Sequence, residues 1–313
     1  MAPEILVLLV LNIVTSCSGL FLNTFIAVIS CRTRMRNVSQ NPRDLLLFSI
    51  GLSSVLFGTF QFLTNMAGYI WTDLFFALNF CLIIVNLVFV LSLFSSICLT
   101  SLLCSFYCIK LVTFRHRIFT QMRSVFPSLL PWMVAGTFVI PGVVLVTLVG
   151  VILMTAPLLH DGSILHCPKI NQTYVVTQQA IMTGLNLMTA LPFLLIVVSL
   201  GVTLSSLTFY VWKLHNSSSF DKSHLRAHSE AAKTMLLLLT LNVLFYLSHL
   251  MLSWDLVAVF SPMGIMSFIM YFSFWALQAL TLLTRNKTYR VRISALQSLL
   301  RMWWNKDIIP LHK

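Results

Sequence analysis

Seven apolar stretches, each long enough to cross a bilayer, divide this chain, and nineteen of its twenty Lys and Arg side chains fall in alternate gaps between them. The approximate spans are 5–29, 44–66, 75–108, 125–155, 178–211, 233–254 and 261–284. About 20 apolar residues make a helix that crosses the hydrocarbon layer. Within that layer a helix satisfies its own backbone hydrogen bonds, which an open sheet does not. The expected fold is therefore all-α, a bundle of seven transmembrane helices. The third, fourth and fifth windows exceed the minimum length, which implies helices that tilt or project beyond the membrane.

Charge then orients the bundle. The basic gaps hold Arg32, Arg34, Arg36 and Arg43; Lys110, Arg115, Arg117 and Arg123; Lys213, Lys222, Arg226 and Lys233; and the stretch from Arg285 to Lys313. Cytoplasmic loops retain Lys and Arg, so these gaps are assigned to the inside and the amino terminus to the outside. Nineteen basic against four acidic side chains leave +15 inside, while Lys169 against four acids leaves −3 outside. The overall +12 is thus a membrane signature and gives no argument for nucleic acid as a partner. At 58% hydrophobic and 9% charged, the chain lacks the polar surface that a water-soluble domain of this length needs. The first span starts at Ile5 with no basic segment ahead of it, and is expected to stay as an anchor.

Topology sorts the modification signals. Sequons occur at Asn37, Asn171, Asn216 and Asn286, and only Asn171, in the second outer loop, falls on the side where glycosylation takes place. Cys17, Cys31, Cys98, Cys104 and Cys108 lie within spans or at their inner ends, where thiols stay reduced. Cys81 and Cys167 lie on the oxidising side. A disulfide between them ties the second outer loop over the bundle; the alternative is two separate thiols.

Ionisable groups inside a bilayer are costly and mark ion or proton paths. The span interiors carry no Asp, Glu, Lys or Arg, and His249, towards the outer end of the sixth span, is the titratable exception. This pattern argues against a pump or ion-coupled transporter, and a seventh span without lysine excludes a retinal Schiff base there. No helix-borne metal cluster, nucleophile elbow or phosphate-cradling glycine loop occurs, so neither an enzyme nor a cofactor is expected.

What remains is a set of polar and aromatic side chains at helical spacing in the outer halves of several spans. Asn242, Phe245, His249 and Ser253 share a face of the sixth span; Phe268, Tyr271, Trp275 and Gln278 share one of the seventh; Asn86, Phe89 and Leu93 share one of the third. Such faces either pack against neighbouring helices or line an apolar pocket with a few orienting groups. Pro192 interrupts the fifth span, as a kink that pivots or as a fixed bend. After the seventh span, Val291, Leu296, Leu299, Leu300 and Trp303 are interleaved with Arg290, Arg292 and Arg301. The tail from 285 to 313 therefore reads as a basic amphipathic segment at the membrane interface, in contact with anionic lipid.

Seven spans, an outer amino terminus and a basic inner face resemble a G-protein-coupled receptor. Phe106-Tyr107-Cys108-Ile109-Lys110, at the inner end of the third span, is similar to the Phe-Tyr-x-x-Lys signature of type 2 (bitter) taste receptors. Ala227-His228-Ser229-Glu230-Ala231-Ala232-Lys233 resembles that family's Ala-His-x-x-Ala-Leu-Lys pattern, and Phe245-Tyr246-Leu247-Ser248 follows at the family's spacing. Leu191-Pro192-Phe193, Gly19 with Asn23, and Asn286-Lys287 add support. The departures mark a divergent member: Ser54 stands where the family usually has Arg, Phe89 and Leu93 where it often has Trp and Asn, and Gln278-Ala279 where it has His-Ser. The related vomeronasal type 1 receptors are the alternative, through Ser96-Ile97-Cys98-Leu99-Thr100 and Pro42-Arg43-Asp44-Leu45. A seven-helix transporter or scaffold without G protein coupling is the remaining class.

The taste resemblance implies a plasma-membrane receptor for small, mostly apolar bitter compounds. Asn86, Phe89, Leu93, Phe245, His249, Phe268, Tyr271 and Trp275 would line the pocket. Tyr107, Lys110, Arg115, Arg117, Lys213 and Lys233 would edge the cleft for gustducin or another inhibitory-class G protein.

Overall fold

Each apolar run is helical over its described residues. The computed structural model describes residues 3–36, 41–70, 79–111, 117–155, 189–206, 208–209, 222–253, 261–286, 289–295 and 297–298. The helices are α1 (Pro3–Arg36), α2 (Pro42–Ile70), α3 (Asn79–Leu111), α4 (Arg117–Thr155), α5 (Thr189–Ser206), α6 (Lys222–Ser253), α7 (Pro262–Arg285) and α8 (residues 289–295). No strand occurs among the described residues. Seven of these helices, α1 to α7, are long and apolar enough to cross a membrane.

Helix ends do not coincide with hydropathy ends. The α6 helix starts at Lys222, well before its apolar run begins, because backbone hydrogen bonding continues into water once a helix has been nucleated. Local chemistry sets the ends of α7. Ser261 caps its amino end by accepting the Gly264 N–H at 3.0 Å, Pro262 occupies the first turn, and the Asn286 N–H reaches the Leu282 carbonyl at 3.2 Å. Asn41 serves α2 in the same way: its Oδ1 accepts from the Arg43 N–H at 3.3 Å and its carbonyl from the Asp44 N–H at 3.0 Å. Helix α4 runs through Pro127, Pro131 and Pro141, and α5 is helical through Pro192.

In the bundle, α1 packs on α2 and α7, α2 on α3, α3 on α4, and α6 on α7. Helix α3 is the hub, tied by side-chain hydrogen bonds to four neighbours. Ser53 of α2 donates to the Ser92 carbonyl at 2.8 Å and the Ser54 and Ser96 hydroxyls meet at 3.3 Å. Ser95 donates to the Thr137 carbonyl of α4 at 2.9 Å, and Ser105 meets Ser199 of α5 at 3.2 Å. Gln278 of α7 donates from Nε2 to Thr100 at 2.5 Å. Small hydroxyl residues let membrane helices approach closely and hydrogen-bond across the interface.

Two apolar clusters fill the bundle. The larger joins Ile26, Leu46, Leu99, Leu103, Met235 and Leu282 with neighbours such as Leu130, Ile196 and Tyr289, and draws on all eight helices. The smaller holds Phe57, Leu93, Ile97, Phe245, Phe274 and Trp275, with Leu20, Leu241 and Tyr271 against it. The tail makes a contact with the bundle that the sequence does not indicate. Its first turns dock on the bundle through Tyr289, 2% exposed and 2.5 Å from the Ser30 hydroxyl, and through Ile293, while Arg290, Val291 and Arg292 face outward. Tyr289 and Ile293 are four residues apart, on one helix face, and hold that face to the bundle.

Candidate functional site

The smaller cluster contains an aromatic stack between α6 and α7. Residues four apart on α6 put Phe245 and His249 on one face, and their rings lie parallel, 6.1 Å apart at 1°. Tyr271 of α7 stacks on both, 5.2 Å from Phe245 and 5.9 Å from His249. Phe274 closes on Phe245 at 4.4 Å. Leu93 and Ile97 of α3 back this group. The arrangement offers aromatic faces and one imidazole, with the geometry in which aromatic pairs gain beyond their buried area.

Trp275 stands one turn further along α7 and turns to other neighbours. Its indole is 1% exposed, edge-on to Phe57 of α2 at 6.1 Å and 83°. It fits only because Gly19 of α1 and Gly58 of α2 lack side chains: a Cβ on Gly19 would lie 2.8 Å from the indole, and one on Gly58 would overlap it. Asn23 completes the junction, donating to the Trp275 carbonyl at 3.3 Å.

The shared face expected on α7 is therefore divided. Phe268 does not join the stack; it pairs with Phe272 at 5.3 Å and lines a cleft against Leu11, Asn12 and Thr15 of α1. The physical reason is that one broad arc of α7 borders α1 on one flank and α6 on the other, so side chains at similar helical angles diverge to different partners. Asn242 is 3% exposed and donates to the Leu238 carbonyl of its own helix at 2.7 Å. Asn86 and Phe89 belong to α3, but their side chains, with those of Ser253 and Cys81, lie outside the described residues, as do Asn171 and Cys167.

Sequence reasoning missed Phe57, Ile97 and Phe274, and it passed over Gly58. A glycine inside an apolar helix was the available signal, since it marks close approach by another element.

At the opposite end, Tyr107 is mostly buried and the Arg43 guanidinium lies 5.7 Å from its ring centroid, a cation–π contact from α2 to α3. Lys110 is exposed, with Nζ 5.9 Å from the Phe106 ring. Arg123 of α4 donates to the carbonyls of Ile109 and Lys110 at 3.3 and 3.5 Å, capping α3 where its last carbonyls need partners. Lys233 pairs with Glu230 at 3.3 Å, and Glu230 also reaches Arg285 of α7 at 3.3 Å. These pairs are exposed and contribute little to stability. Arg117 begins α4 with its side chain outside the described residues, where Arg115 and Lys213 also fall. Burial pushes the Tyr289 phenol up to about 12, against the opposing effect of the Ser30 hydrogen bond.

The model of the taste receptor protein (TAS2R) family matches residues 1–302. The chain belongs to this family. The match decides between the two resemblances in favour of taste over vomeronasal receptors, and it is a family of receptors, not enzymes. Among curated relatives, taste receptor type 2 member 16 of Homo sapiens is 33% identical over 34% of this chain and 34% of its own length. Member 4 of Gorilla gorilla gorilla is 29% identical over 38% of this chain and 39% of its own. Member 1 of Pan paniscus is 26% identical over 43% of each. The matched stretches thus span less than half of each relative. As a family member with seven membrane-length helices, the protein is a multi-pass membrane protein.

Proposed function

We propose that this protein is a chemosensory receptor for small, mostly apolar bitter compounds and signals through gustducin or another inhibitory-class G protein. The observation that carries the reading is the stack of Phe245, His249 and Tyr271 between α6 and α7, apolar surface around one orienting imidazole, in a member of the taste receptor family. The agonist meets His249 and Tyr271 from the outer side, with Phe245 and Leu93 behind them and Asn86 and Phe89, earlier on α3, completing the wall. Trp275 forms the floor, and Phe268, on the α1 flank, is left out of the pocket. An agonist shifts the receptor only as far as it binds the active arrangement better than the resting one.

The inner ends of α3, α5 and α6 then admit the G protein, with Tyr107, Lys110 and Lys233 at the rim and Arg115, Arg117 and Lys213 supplying further positive charge. The outer amino terminus, a glycan on Asn171 and a Cys81–Cys167 disulfide belong to the same reading.

The test is intracellular calcium in cells expressing the chain with a gustducin-containing chimeric α subunit, challenged with bitter compounds and, separately, with volatile and steroid pheromones. A dose-dependent bitter response is expected. Silence to bitter compounds at proven surface expression, with a response to pheromones, would overturn the proposal. With an agonist in hand, His249→Ala should shift potency by about tenfold, equivalent to ~1.4 kcal/mol, at unchanged surface expression. Lys110→Ala should lower maximal signalling while leaving agonist binding intact.

A further inference from the structure

Consecutive side chains at the inner end of α3 reach three different helices. The Ser105 hydroxyl meets Ser199 of α5, the Phe106 ring stacks on Phe126 of α4 at 6.4 Å, and the Tyr107 ring lies 5.7 Å from the Arg43 guanidinium of α2. At about 100° per residue, Tyr107 stands roughly 200° around the axis from Ser105. It shares a face instead with Thr100 and Ser96, further out on the helix, which bond to α7 and α2. Tyr289 of α8, docked on Ser30 of α1, belongs to the same neighbourhood, since Arg43 and Tyr107 both act on its phenol. Lys110 and Lys233 are exposed at the inner ends of their helices. Tyr107, by contrast, faces the α1, α2 and α8 side of the bundle and turns away from α5.

The contact that keeps it there is firm enough to matter and weak enough to release. A cation over an aromatic face shifts an equilibrium by about twofold to thirtyfold, more as the pair is withdrawn from water. Among the described residues no carboxylate lies within ion-pairing distance of Arg43, so Tyr107 is its main partner. The guanidinium is not fully satisfied: its Nε is buried without a hydrogen-bond partner. Water removes that cost, and water is close, because Arg43 lies in the first turn of α2 beside exposed Asn41.

We propose that Arg43 is a clasp that keeps Tyr107 on the α2 side in the resting arrangement, and that coupling requires Tyr107 to leave it and turn to the cleft between α3, α5 and α6. Arg43 is then a positioning residue that acts through Tyr107. The inference rests on the G protein reading above, yet the position of Tyr107 is measurable on the receptor alone.

Hydroxyl-radical footprinting of the full chain in phosphatidylcholine nanodiscs, without G protein, reads how far Tyr107 is shielded. Arg43→Ala should raise oxidation at Tyr107 about fivefold, within the range of a cation–π contact, while Tyr289 stays shielded. Unchanged shielding of Tyr107 would overturn the clasp. Membranes carrying each variant at matched surface expression are then incubated with purified gustducin heterotrimer, and nucleotide exchange is followed without agonist. Basal exchange should rise about fivefold in Arg43→Ala and about twofold in Arg43→Lys, which keeps the charge but loses the flat stacking surface. Arg32→Ala removes an exposed inner arginine and should match the parent. A contact that only supports the fold would lower expression and maximal signalling together without raising basal exchange, and that result, or an equal rise in Arg32→Ala, would overturn the proposal. If Arg43→Ala does not reach the surface, Arg43→Lys decides by the same two readouts. Greater oxidation of Tyr107 with no exchange from any receptor, agonists included, would uphold the clasp and overturn the coupling reading instead.

Discussion

Helices α3 and α4 are adjacent, similarly apolar and both long enough to span a bilayer, yet 89% of an 18-residue stretch within Leu91–Lys110 of α3 is buried inside the protein and only 17% of such a stretch within Thr120–Val144 of α4. The difference lies in where their hydroxyl groups go. Ser92, Ser95, Ser96, Thr100 and Ser105 of α3 are buried, and α3 exchanges hydrogen bonds with α2, α4, α5 and α7. On α4, Ser124, Ser128 and Thr147 turn back to carbonyls of their own helix at 2.7–2.8 Å on exposed faces, beside Trp132 at 77% exposure. Lipid solvates apolar side chains as well as protein does, so apolar character does not distinguish a central helix from a peripheral one; small polar residues that bond across the interface do.

The contrast between hub and rim predicts a graded series of effects. The largest comes from filling the glycine slot under Trp275. Gly58→Val places a side chain where the indole now lies, and overpacking of that kind costs about 1–3 kcal/mol or more. Surface expression should collapse, whereas Gly142→Val on α4, where a Cβ meets nothing within 4 Å, should leave it unchanged. Equal loss in both would break the comparison.

A smaller effect separates Thr100 from Thr147. Thr100→Val removes the acceptor of the buried Gln278 amide, whose Oε1 is already unpartnered, and should lower the thermal midpoint of the purified receptor by an amount corresponding to about 1–2 kcal/mol. Thr147→Val, on the exposed face, should stay within about 0.5 kcal/mol of the parent.

The smallest effect tests whether α8 belongs to the buried set. Tyr289→Phe deletes the hydrogen bond to Ser30, worth about 1 kcal/mol or less. The pH response gives a second readout. A phenol raised from 10.0 to about 12 in the folded state is neutral in both states below pH 10; its contribution is lost as pH rises from there towards 12. Over that interval the parent should lose stability relative to Tyr289→Phe, and identical profiles would remove Tyr289 from the buried set.

Parts of the candidate site were legible in the sequence. Helical spacing put Phe245 and His249 on one face of α6, and that pair holds in three dimensions because residues four apart always neighbour one another on a helix. Spacing did not separate Tyr271, Trp275 and Phe268, which the structure sends to α6, to the α1–α2 glycines and to the α1 cleft respectively. Periodicity reports an angle around one axis, and which neighbour stands at that angle is a non-local fact. Tyr289 was missed for the same reason: its partner Ser30 lies 259 residues away in the chain.

By itself, the sequence determined that this protein crosses a membrane as a set of apolar helices and carries its basic residues in alternate gaps, because bilayer thickness and backbone hydrogen bonding act on each segment separately. Only the tertiary structure decided that α3 is central and α4 peripheral, that Trp275 is a structural wedge, and that the Asn12 amide nitrogen is buried without an acceptor. Those outcomes depend on which helix faces which, and close packing among helices of nearly equal apolarity is set by the shapes of their neighbours.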